Sequence, residues 1–144
     1  MKKNKFTWIA GLILVVIVLI VLLVREKIYN VTLLSNENFS VAAGAYNALS
    51  FKIDITDKKS NIIQGRVTDK AGYGINFMVF DAKNFNAWKD HNPTTPYVKE
   101  KNSKEFSFSF FPDHSDEYFF VFDNTYSLAN NKLPEVYAIW SYRK

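Results

Sequence analysis

Cysteine is absent from the 144-residue chain. That excludes disulfides, zinc–thiolate sites, cysteine nucleophiles and a lipid anchor carried on a cysteine. Histidine is scarce: His91 and His114 are the only two. With so few there is no H-E-x-x-H pair, and no serine sits in a G-x-S-x-G elbow. Internal repeats and low-complexity segments are also missing. The folded part lacks charge of one sign as well. The net charge of +4 comes from 18 basic and 14 acidic residues. Lys2, Lys3, Lys5, Arg25 and Lys27 against Glu26 account for all of it, leaving thirteen of each sign elsewhere. Binding to nucleic acid through counterion release needs clustered Lys and Arg on the domain itself, so that class is set aside.

A long hydrophobic run is present. From Trp8 to Val24 the chain reads WIAGLILVVIVLIVLLV, with no polar side chain. As a helix these residues would measure about 25 Å, and Phe6 and Thr7 extend them toward the roughly 30 Å hydrocarbon core of a bilayer. The run is apolar all round, where a helix in water would show a polar stripe. It leaves through Leu22-Leu23-Val24-Arg25-Glu26, without the small-residue pattern of a signal-peptidase site, so an uncleaved signal-anchor is expected. A pilin-type stalk does not fit, for want of the Gly-Phe processing site and the glutamate inside the run. Three lysines precede the run, and the positive-inside rule then places the N-terminus in the cytoplasm and the remainder outside. The expected division is 1–6 basic flank, 7–24 membrane helix, 25–37 juxtamembrane linker and first strand, and 38–144 domain.

Past Tyr29 the apolar period changes from helical to two. Leu49–Thr56 and Glu105–Phe110 alternate strictly, and Val136, Ala138, Trp140 and Tyr142 share one face. Ile75–Phe80 and Tyr118–Phe122 are apolar on both faces, the pattern of central strands covered on each side. Weaker strands are expected at Val31–Leu34, Phe39–Ala43, Ile62–Thr68 and Tyr97–Lys99. Turns fall at 57–60, 69–72, 91–93 and 112–116. About eight short strands without a crossover helix predict one antiparallel β-sandwich. One helical piece, Ala82–Lys89, carries Phe85 and Trp88 three apart and is expected to cap an open end of it.

Several segments carry a family likeness. Phe39–Tyr46, Ile63–Val67, Ile75–Phe80 leading into Asp81, Phe85 and Trp88, and Tyr118–Asn124 with Ser127 and Lys132 together span most of Phe39–Arg143. This pattern resembles the compact jelly-roll sandwiches of prokaryotic secreted or membrane-anchored proteins, GOLD-like in style. The resemblance implies the fold and says almost nothing of function. GOLD cargo receptors place the sandwich first, then a coiled coil, a C-terminal membrane helix and a sorting tail. That order is reversed here, so their trafficking role is not implied.

Chemistry-bearing residues are sparse. Asp113-His114-Ser115-Asp116-Glu117 groups acids with a histidine, but adjacent strand positions face opposite ways and polar turns commonly open hairpins. Asp90-His91 near Asp81 offers a conceivable acid–base pair without an accompanying nucleophile. Asp123-Asn124-Thr125 reads as an Asx turn. No catalytic residue, metal ligand or cofactor is expected, and the chain is read as a binding protein rather than an enzyme. Trp88, Tyr97, Asp123 and Tyr126 are the candidate ligand-binding residues, because each combines a polar or stacking group with a predicted loop. Asn30-Val31-Thr32 and Asn38-Phe39-Ser40 match the glycosylation pattern by composition only. The functional expectation is an extracytoplasmic, membrane-anchored binding module for an envelope protein or glycan. Its rivals are an accessory subunit of a membrane complex and, less favoured, a carbohydrate-active enzyme.

Overall fold

The computed structural model describes residues 29–144, which hold eight strands and one helix. The strands are β1 (Asn30–Asn38), β2 (Tyr46–Ile53), β3 (Lys59–Asp69), β4 (Ile75–Asp81), β5 (Val98–Ser103), β6 (Glu105–Phe110), β7 (Asp116–Asp123) and β8 (Pro134–Arg143). The helix α1 (Ala82–Lys89) follows β4 directly. They form two four-stranded antiparallel sheets in the orders β1-β8-β3-β6 and β2-β7-β4-β5. The expected β-sandwich is therefore the observed architecture. Among the described residues no helix is long and apolar enough to cross a membrane, and the expected membrane run at 7–24 lies outside them.

Strand parity decides what is buried. In β6 the phenylalanines of EFSFSF point one way and the serines the other, and Phe108 and Phe110 are buried while Ser107 and Ser109 are exposed. Val136, Ala138 and Trp140 of β8 and Ile63 and Val67 of β3 fill the same layer. The facing layer comes from Phe77 and Val79 of β4, Tyr118, Phe120 and Phe122 of β7, and Leu49, Phe51 and Ile53 of β2. At the centre the Phe77 ring lies 4.9 Å from Phe108 across the sheets and 5.2 Å from Phe122 beside it. Aromatic pairs at such spacing add roughly 0.5–1.5 kcal/mol each beyond their burial.

β4 and β7 are the central strands of the second sheet, as their two-sided hydrophobicity predicts. The helix, however, lies elsewhere than expected. α1 packs on the outer face of that sheet, where Phe85 and Trp88 meet Met78, Phe80, Phe119 and Val121. Phe85 stacks on Phe119 at 4.1 Å. The outward residues of β4 and β7 thus need a lid, and an open end of the sandwich would have left them wet. Asp81 caps the helix by accepting from the Asn84 N–H at 2.7 Å.

One expected strand is missing. Phe39–Ala43 contributes a single bridge, Val41 to Lys132. Asn124, fully buried, directs its side-chain amide at the carbonyls of Val41 and Ala42, at 3.2 and 3.0 Å. The Val41 carbonyl also accepts the Lys132 N–H of the bridge, while that of Ala42 accepts from Ala45 N–H at 3.2 Å in a turn, so pairing stops there and Gly44 at φ 76 leads the chain into β2.

Candidate functional site

The residues singled out in the sequence separate to two ends of the sandwich. Strand pairing fixes which end is which. β2 starts, β7 ends and β4 starts together, because Tyr46 pairs with Asp123 and Asp123 pairs with Asn76. These three therefore form one rung across three strands, all facing outward with Ala48, Val121 and Met78. An eight-residue helix is only about 12 Å long, whereas a seven-residue strand runs about 23 Å. α1 therefore covers the apolar part of the face and ends at Lys89, with Trp88 as its last covering side chain, leaving the polar rung open.

The result is a pocket of about 260 Å³ lined by Asn76, Met78, Trp88, Lys99, Glu100, Lys101 and Asp123. Its wall is the Trp88 indole, held at 4.9 Å edge-to-face by Tyr46 and stacked on Phe80. Asp123 accepts from Thr125 N–H at 2.9 Å, the expected Asx turn, and its other oxygen lies 3.4 Å from the Asn76 amide nitrogen. Asn76 in turn accepts from the Asn102 N–H at 2.9 Å, and the Tyr126 hydroxyl donates to the Asn102 side-chain oxygen at 3.2 Å. Trp88 and Asp123 therefore meet in one pocket, with Tyr126 two hydrogen-bonded residues away. Beside Tyr126, the buried Lys132 places its ammonium over the rings of Tyr73 and Tyr126, at 5.2 and 5.6 Å.

Tyr97 is at the opposite end and is no open platform. Its ring packs against Phe110 and Tyr118, and its hydroxyl donates to Asp113. His114 stands there too, with Nδ1 2.7 Å from Asp113 and Nε2 3.4 Å from Asp116. Asp116 also accepts from the Ala82 N–H at 3.2 Å, so the acids of this cluster serve the N-terminus of α1. Among the described residues no three His, Asp or Glu side chains converge to hold a metal. His91 is at the other end of α1, in a left-handed conformation at φ 58, with its N–H donating to the Trp88 carbonyl. It does not approach Asp81, which caps the opposite end of the helix.

The hydrogen bond that His114 donates to Asp113 raises its pKa above 6.5 against the opposing effect of burial, and Asp116 and Asp81 reinforce it. The Tyr97 hydroxyl and then His114 hold Asp113 below the usual carboxylate value of 3.8. Burial and then the bond to Asp113 push Tyr97 upward. The raised histidine stabilises the fold fully below pH 6.5, and that contribution fades as pH rises through its folded value. The lowered aspartate stabilises above pH 3.8 and loses its effect as pH falls through its folded value. Thermal melts should therefore show a plateau between these limits and a modest decline on the alkaline side. In His114→Gln that alkaline decline is expected to vanish. A wild-type curve that stays flat from pH 6 to 9 would count against a stabilising His114–Asp113 pair.

A larger hollow of about 450 Å³ lies on the outer face of the first sheet, among Gln64, Arg66, Ser107, Ser109, Tyr137 and Ile139. It is an open trough, and its one cation, Arg66, is already paired with Glu105. The smaller pocket gathers a tryptophan, a carboxylate, an amide and two lysines, which is the better set for orienting a ligand. Tyr46 and Asn76 escape the sequence reading because their place depends on register. A trace was still there: Asp123 and Asn76 are the polar ends of the outward stripes Phe119-Val121 and Phe80-Met78.

No protein-family model matches the chain, and no curated protein matches it. Among solved structures it is similar to the pre-peptidase C-terminal domain of a collagenase from Bacillus anthracis, at 12% identity and a TM-score of 0.45, over 72% of this chain and 88% of that one.

Proposed function

We propose that this chain is a non-enzymatic binding module, held at the outer face of a membrane by residues 7–24, whose β domain takes a glycan in the Trp88 pocket. What supports this reading above all is the shared rung of Tyr46, Asp123 and Asn76 beneath the end of α1. A pyranose presents an apolar C–H face and a rim of hydroxyls. Trp88 matches the first, while Asp123 and Asn76 accept and Lys99, Lys101 and the Asn76 amide donate to the second. The strand order, β1-β8-β3-β6 over β2-β7-β4-β5, is that of two Greek keys folded together, so we read the sandwich as a jelly roll.

The membrane run supplies what a shallow site lacks. Tethering confines the domain to the surface and raises its effective concentration toward polymers fixed in the same layer. A site of modest intrinsic affinity then suffices.

Titration of the chain with cell-envelope oligosaccharides by calorimetry tests the reading. Trp88→Ala removes the stacking wall and is expected to weaken binding by about tenfold or more, as loss of one stacked ring generally costs roughly 1–3 kcal/mol. Trp140→Phe, altering a tryptophan of the opposite sheet, should leave affinity unchanged. Equal affinity in Trp88→Ala and the parent would move the ligand elsewhere.

A further inference from the structure

The end of the sandwich opposite the Trp88 pocket gathers a different set of side chains. There β1 begins, β8 ends and β3 begins: Asn30 pairs with Tyr142, and Lys59 pairs with Arg143. The turn between β2 and β3 brings Lys58 over the rings of Trp140 and Tyr142, each at 5.4 Å. The Arg143 guanidinium lies over Tyr29 at 5.8 Å and donates to Ser60. Lys59 and Lys144 are exposed beside them. Asp57 is the acid within this corner. Asp54, at the start of the turn, has its carboxylate engaged by Thr56 N–H and the Ser115 hydroxyl.

Next to these cations the edge strand β1 shows apolar groups outward. Val31 is 60% exposed and Leu33 is 56% exposed. β1 is also an open edge of its sheet, with a bulge between Leu33 and Ser35. A long edge strand with outward valine and leucine is a liability unless something covers it. The chain itself limits what that cover is. Residues 25–29, the only ones between the apolar run and β1, reach about 18 Å at full extension. The headgroup layer alone takes about 5–8 Å of that distance.

We infer that this corner, formed by Tyr29, Val31, Leu33, Lys58, Lys59 and Arg143, lies on an anionic lipid surface, with the Trp88 pocket turned away from the bilayer. The inference rests on the anchoring of residues 7–24 and adds to it a fixed orientation. Aromatic rings paired with cations suit the headgroup layer, where tyrosine and tryptophan settle and basic groups meet phosphate. Val31 and Leu33 reach just below that level, where burial of apolar area is favourable.

The absence of cysteine makes the test direct. Val31→Cys and Leu128→Cys are introduced singly into the full chain and labelled with a nitroxide, Leu128 being fully exposed in the β7–β8 loop at the far end. Each labelled chain is reconstituted into phosphatidylcholine vesicles with and without phosphatidylglycerol, and recovered by flotation. Power saturation then compares accessibility to oxygen, which enters lipid, with accessibility to a water-soluble nickel chelate. The label at position 31 is expected to favour oxygen over nickel relative to position 128, and more strongly with phosphatidylglycerol. Lys58→Glu combined with Lys59→Glu should abolish that lipid-dependent gain. Vesicles that float with both labels equally accessible to nickel would overturn the orientation while keeping the anchor. Failure to float would overturn the anchor and the orientation together. A label at position 31 shielded from both reagents would indicate a protein contact and would also overturn the inference.

Discussion

Asp69→Asn is expected to destabilise the domain by about 3–5 kcal/mol, no less than Asp69→Ala, although it changes a single oxygen to a nitrogen. Asp69 is buried at the end of β3, and its carboxylate accepts from four backbone N–H groups. One oxygen takes Ala71 at 3.2 Å and Leu133 at 2.8 Å. The other takes Tyr73 at 3.1 Å and Gly74 at 2.9 Å. An asparagine amide offers one acceptor oxygen, so either rotamer points an NH2 group at two backbone donors. Each donor then loses its partner inside the protein, at roughly 1–3 kcal/mol apiece. Alanine abandons all four but leaves space for water to serve them. Urea unfolding of residues 28–144 would register the loss as a midpoint lowered by about 2 M, for a slope near 2 kcal/mol per M. A near-parental midpoint for the asparagine variant would show that two of the four bonds are dispensable. The effect reaches the candidate site as well. The 69–74 turn delivers the chain to Ile75 and Asn76, and loosening it displaces Asn76 from the rung it shares with Asp123.

How much of this was legible in the sequence depended on whether a feature is local. Alternation in EFSFSF gave β6 at its observed bounds, since one dry face repeats every second residue. The apolar runs of β4 and β7 announced that both their faces are covered, and they are. What covers the outer one was not legible. α1 shows only Phe85 and Trp88 on its apolar edge, and its docking surface is built from Met78, Phe80, Phe119 and Val121, about forty residues apart in two strands. The candidate site divides the same way. Trp88 and Asp123 stood out by residue type, and the structure brings them into one pocket. Tyr46 and Asn76 join them through register alone, which no local pattern encodes. Tyr97 does lie in the loop before β5, as its place between Pro96 and Val98 suggests, but the packing of its ring on Phe110 and Tyr118 depends on two other strands and was not legible locally. Phe39–Ala43 misled for a different reason: its pattern suits a strand, but the Ala42 carbonyl is taken by the turn to Ala45 and by the Asn124 amide, so pairing ends at the single Val41–Lys132 bridge.

The other large effect is expected at Gly65, where adding one methyl group should cost about 3 kcal/mol or more. Gly65 interrupts the inward row of β3 between Ile63 and Val67, and it pairs with Ala138 on one side and Phe108 on the other. The Phe108 ring lies over it, so a Cβ built there falls 2.7 Å from Phe108 Cζ and closer still to the Tyr137 carbonyl oxygen. Neither neighbour yields easily. Phe108 is wedged against Phe77 at 4.9 Å and Phe120 at 5.3 Å. The Tyr137 carbonyl belongs to the β8 backbone, whose ladder to β3 runs most of the strand. A strand glycine ordinarily weakens its sheet, so replacing one with alanine should help by up to about 1 kcal/mol. At this position the close approach decides, and Gly65→Ala is expected to lower the urea midpoint rather than raise it. Adding Phe108→Leu to Gly65→Ala separates the two contacts. Partial recovery of the midpoint in the double variant would assign the recovered share to the ring and the remainder to the carbonyl. No recovery would place the whole cost on the β3–β8 ladder, and a stabilising Gly65→Ala would show that the two sheets do not close over this residue.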